Sequence, residues 1–199
     1  MTEEYVVVHS EPNSAKILEN QREMASFQKI GNGIFALQER GNGGENLSWT
    51  LSIKVDGEMR PFSMACYRTS SSNDNKPVEV QQTGMTLLQP EALCLKIKDH
   101  IFSHNNNFYS IGEAVPEGAS PRDCISGSKY ISRLINFPFS HVDHVDEETK
   151  HQMKRYRGMA VGEISGLGAE GFHLKLYGDE LSDIGLQLAA STYLIYTTR

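Results

Sequence analysis

The stretch "GMAVGEISGLGAEGFHLKLYG", residues 158–178, decides what kind of sheet this chain builds. Gly166, Gly168 and Gly171 within it spell G-x-G-x-x-G. Such a loop cradles a phosphate only when it follows a strand and opens a helix, whose first amides then face the anion. The residues before it read as a strand. After it, Phe172, Leu174 and Leu176 alternate with His173, Lys175 and Tyr177, a period of two that belongs to a second strand. The loop therefore joins a hairpin. Its glycines serve backbone geometry, with positive φ expected at one or more of them, and no nucleotide or other cofactor is expected.

Hairpins recur upstream. "SFQKIGNGIFALQER" (26–40) reads as two strands around Gly31-Asn32-Gly33. In "LSWTLSIKVDGEMRPFSMACYRT" (47–69), Trp49, Leu51, Ile53 and Val55 alternate with polar neighbours. Asp56-Gly57 suits a type I′ turn, and Phe62, Met64 and Cys66 alternate on the return. "YVVVH" (5–9) is a short β-branched strand, and "SHNNNFYSIGEAV" (103–115) a turn followed by a strand. "QPEALCLKIKDHIF" (89–102) fits either state: Pro90 suits a first helical position, while Leu93, Leu95 and Ile97 alternate. "DEETKHQMKRYRG" (146–158) has acids at its start, bases at its end and a terminal Gly158. That pattern predicts a surface helix with Asp146 as N-cap and Gly158 at C′.

In the tail "LSDIGLQLAASTYLIYTTR" (181–199), Leu181, Ile184, Leu188, Thr192 and Ile195 fall at helical spacing, with Asp179 placed to cap the start. Leu186, Ala190 and Leu194 lie off that stripe. The helix would be apolar around much of its circumference, and so buried in its own domain or against a partner. Residues 191–198 taken alone read equally as a strand. A C-terminal helix packed into a curved sheet resembles the architecture of scramblase- and tubby-like barrels, a likeness without functional content.

The 199 residues fit one domain, 1–199, and 39% apolar with 22% charged residues suits a folded soluble chain. The net charge of -6 and the lack of a basic stripe disfavour nucleic acid. No apolar run reaches the length of a membrane span, while peripheral membrane contact stays open. Glu3 and Glu4 stand where a secretory signal would carry bases. Cys66, Cys94 and Cys124 match neither a disulfide framework nor a zinc spacing. Reduced thiols and a cytoplasmic setting are expected. The Asn46-Leu47-Ser48 triplet therefore has no glycosylation meaning.

Three fragments hold potential chemistry. "FSHVDHVDEE" (139–148) brings together His141, Asp143 and His144, metal-binding residue types. The string resembles part of the H-x-H-x-D-H signature of metallo-β-lactamase-like hydrolases, which implies a zinc or iron site. Phe139 replaces the first histidine, removing one ligand, and the motif sits unusually late in the chain. Ser126 and Lys129 have S-x-x-K spacing in a loop-like context, without the later elements of that motif. Cys124 has Arg122 nearby but no histidine base in sequence.

Together these readings predict an α+β fold. Antiparallel hairpins form a sandwich or partial barrel, with two to three helices including the apolar C-terminal one. The expected function is a non-enzymatic interaction or assembly protein that self-associates or binds a protein partner. The alternatives are a metal-dependent hydrolase using His141, Asp143 and His144, and a small-ligand or lipid-binding β-barrel.

Overall fold

The computed structural model describes residues 2–12, 14–40, 46–55, 61–69, 93–98, 100–112, 115–116, 129–134 and 157–197. Period-two alternation produces the strands that the sequence marks. β1 (Thr2–Glu11), β2 (Ser14–Glu19), β3 (Arg22–Gly31), β4 (Ile34–Arg40), β5 (Asn46–Val55) and β6 (Pro61–Thr69) form an antiparallel meander. β7 (Leu93–Lys98), β8 (Ile101–His104) and β9 (Asn107–Ile111) continue it. β10 (Val115–Pro116), β11 (Lys129–Leu134), β12 (Arg157–Gly168) and β13 (Gly171–Tyr177) complete the sheet. Two-residue turns at Asn20-Gln21 and Asn105-Asn106 hold both residues at positive φ, as the twist of a tight hairpin demands.

All thirteen strands belong to one sheet, so the sandwich alternative gives way. The pairings run from β13 through β1 and on to β11 and β12, and β12 pairs with β13 again. Among the described residues, twelve strands thus have a hydrogen-bonded neighbour on each side. β10 is the exception, lying parallel to the first residues of β12. β-Bulges interrupt several ladders, including those at His9/Glu11 and Ile131/Ser132, and such bulges bend the sheet on which they sit.

The inward face carries Val7, Phe27, Leu37, Leu51, Phe102 and Leu174, all buried in one interior cluster. In its midst runs the helix α1 (Gly185–Thr197), entered through a single 3-10 turn at Ser182–Ile184. Its contacts reach strands on different sides of the ring. Gly185 lies under Tyr5 of β1, where a Cβ would come within 2.8 Å of the tyrosine ring. The Tyr193 ring meets Phe27 of β3 edge-on at 5.0 Å between centroids. Tyr196 donates to the Ile111 carbonyl of β9 at 3.4 Å. Leu188, Ala189, Ala190, Thr192 and Leu194 are fully buried, which explains an apolar character not confined to one stripe.

Some expectations need correcting. Among the described residues there is one α-helix, not two or three. The tail adopts the helical alternative, but its α-helical turns begin at Gly185 rather than near Leu181. Residues 93–98 and 101–104 are strands joined through His100 at positive φ, so the helical option over 90–102 fails where it is described. Gly158 is not a helix C′ residue: it sits in β12 opposite Leu134, packed against Ser132 and the Arg133 carbonyl. The remainder of the 146–158 reading, like the Asp56-Gly57 turn, lies outside the described residues.

Candidate functional site

The glycine loop forms the tip of the β12–β13 hairpin. Gly168 pairs with Gly171 across the two-residue turn Ala169-Glu170, and a strand follows. Gly166 and Gly171 have φ of +65° and +136°. At Gly171 a Cβ would also run into the Val7 carbonyl of β1, so both the dihedral and the close approach require glycine. Among the described residues no helix N-terminus faces this loop, and a strand stands where a phosphate cradle would open a helix.

His141, Asp143 and His144 lie outside the described residues, as do Cys94, Cys124 and Ser126 in their side chains. Among the described residues, no group of three or more His, Cys, Asp or Glu could hold a metal ion. Lys129 is described, and its ammonium lies 5.5 Å from the centre of the Tyr196 ring, a cation–π contact near the last turn of α1. Cys66 is buried in the interior.

Two sets of polar contacts lie near the two ends of α1. Near its start, the Tyr5 hydroxyl donates to Glu3 at 2.9 Å and Trp49 donates to Glu39 at 3.1 Å. Glu180, on the segment between β13 and α1, accepts from Tyr109 at 2.7 Å and from Arg133 Nη1 at 3.1 Å. His104 Nε2 meets Asp183 at 2.9 Å. Together these bonds strap residues 178–184 to β8, β9 and β11. Near its other end, His9 Nδ1 contacts the Tyr193 hydroxyl, with the rings stacked, and His100 Nδ1 lies 3.1 Å from the Ile111 carbonyl.

The electrostatics of these groups suit structure more than chemistry. Burial raises the Tyr5 phenol above its ordinary range, aided by its bond to Glu3 and by the charges of Glu19 and Glu39. Burial and then Glu180 do the same for Tyr109. Tyr177 is pushed up to about 12, first by burial and then by its bond to Glu163. A phenol that donates to a carboxylate and resists ionisation acts as a tie, and is a poor nucleophile or base. On the outer face, a shallow groove of about 250 Å³ is lined by Ser14, Lys16, Ser26, Gln28 and Gln38 among others. Lys16 there is already paired with Glu23 at 2.9 Å.

Reading the sequence did not single out Arg133, Tyr109, Glu180, His104 or Asp183. The partners of these ties stand 47 to 79 residues apart, so no local spacing could have announced them. No helix among the described residues is long and apolar enough to cross a membrane. Comparison of the chain with protein-family models, with curated proteins and with solved structures found no match in any of the three.

Proposed function

We propose that the chain is a non-enzymatic interaction or assembly module, which self-associates or binds a protein partner through the outside of its strand ring. One observation supports this reading above the others: the interior is occupied by the protein's own helix, with Leu188, Ala190 and Leu194 fully buried. A ligand held as in an open-cored barrel would have to displace α1, so recognition falls to the outer faces and hairpin tips. The tail itself is not the contact surface. Its apolar residues are spent on the interior, and its helix offers little to a second chain.

Light scattering coupled to size exclusion, from low to high concentration, tests self-association. The expected mass is that of two or more chains, with intermolecular cross-links mapping to outer-face residues such as Lys16 and Lys175. A strict monomer throughout would eliminate self-association and leave only a different protein as partner. Metal analysis decides against the whole reading if it goes the other way. Near-stoichiometric zinc, iron or manganese, lost in a folded His144→Ala variant, would replace the interaction module with the hydrolase reading.

A further inference from the structure

The thioether of Met159 stands in an unusual position. Met159 is one of two large apolar residues exposed among the described residues, at 40%. Its sulfur lies 3.8 Å from Arg133 Nη2, while Nη1 of the same guanidinium holds Glu180 at 3.1 Å. Glu180 also accepts from Tyr109, and it belongs to the strap that leads into α1. One arginine thus joins an accessible sulfur on β12 to the segment that fixes the buried helix.

We propose that Met159 is an oxidation site whose sulfoxide is read out by Arg133 and tightens the strap at residues 178–184. The oxidant is a peroxide. The sulfur lone pair attacks one peroxide oxygen, an S–O bond forms as the O–O bond breaks, and water leaves when hydrogen peroxide is the reagent. Sulfur is oxidised and the peroxide reduced, and methionine sulfoxide reductases reverse the product. A thioether is a weak acceptor, whereas a sulfoxide oxygen is polar and accepts strongly. An oxygen placed on the side of the sulfur facing Arg133 closes the 3.8 Å gap to hydrogen-bond length without a backbone shift. The guanidinium is then fixed between two acceptors, Glu180 and the sulfoxide, and loses the freedom to swing away from the strap. The contrast within the chain is Met64, which is 4% exposed in the interior and shielded from peroxide.

The test combines peptide mapping by mass spectrometry with hydrogen exchange on the intact chain. Hydrogen peroxide should oxidise Met159 well before Met64. The oxidised protein should then exchange its amides at 178–184 about threefold more slowly, the size of a modest charge-assisted surface contact. Methionine sulfoxide reductase should restore the original rate. A Met159→Gln variant, with an amide oxygen in place of the sulfoxide, should slow exchange without any oxidant. Met159→Leu should leave the strap at its starting rate and insensitive to peroxide. Equal oxidation of Met159 and Met64 would overturn the site. Unchanged strap exchange both in oxidised protein and in Met159→Gln would overturn the coupling through Arg133.

Discussion

Gly171 shows how much one residue can decide. Its φ of +136° is open to few side chains, and its Cα approaches the β1 backbone so closely that a methyl group has no room beside the Val7 carbonyl. Gly171→Ala should destabilise the fold by about 1 kcal/mol or more, measured by urea denaturation. A neutral result would mean that β1 and β13 do not pair as described. Adding dinucleotides should leave thermal stability unchanged, since the loop leads into a strand and not into a helix. On the outer face, Glu23 is held below the ordinary carboxylate range by its bond to Lys16, with Arg40 at 3.1 Å contributing charge. Lys16→Ala should raise that pKa in an NMR titration while changing overall stability little, because Lys16 is exposed and the pair lies at the surface.

At the scale of elements, α1 depends on its surroundings. It has no acidic residue in its first turn and no basic one in its last. Charged residues of the strands lie near its ends instead: Glu3, Glu19 and Glu39 act on Tyr5, which lies against Gly185, and Lys129 sits over the Tyr196 ring near the far end. Leu188→Ala should cost about 2–5 kcal/mol in chemical denaturation, as for a fully enclosed leucine. A cost below 1 kcal/mol would place the helix outside the ring. The bond from Tyr177 on β13 to Glu163 on β12 predicts alkaline sensitivity. The folded phenol titrates at about 12, above its ordinary value of 10.0, so neutral Tyr177 stabilises the fold. That contribution is complete below pH 10.0 and is lost as the pH rises through about 12. Tyr177→Phe should flatten this part of the stability profile, followed by circular dichroism across the alkaline range.

For the molecule as a whole, the legible part was whatever a local period or turn could announce. The β3–β4 and β12–β13 hairpins follow from alternation around glycine, and the buried C-terminal helix follows from apolar residues on all its sides. The 90–102 stretch stayed ambiguous because six residues of alternation, Leu93–Lys98, are too few to separate a strand from a helix beginning at Pro90. The strap ties were illegible for a different reason: Tyr109, Arg133 and Glu180 meet only after the sheet has come round. The apolar tail was read correctly as buried, but sequence pattern alone does not distinguish a helix buried in its own ring from one buried against another chain.

The same circular pairing has a kinetic side. β1 is hydrogen-bonded to β13, with Val6 opposite His173, so β1 waits for a partner that is made more than 160 residues after it. Until then "YVVVH" presents an unpaired, β-branched edge, and the interior strands lack the helix that will cover them. Contacts so distant in sequence form slowly, because the intervening chain must be ordered before they contribute. Refolding from denaturant should therefore be slow, and its yield should fall as protein concentration rises. During synthesis the nascent chain carries a sticky margin that β13 eventually seals.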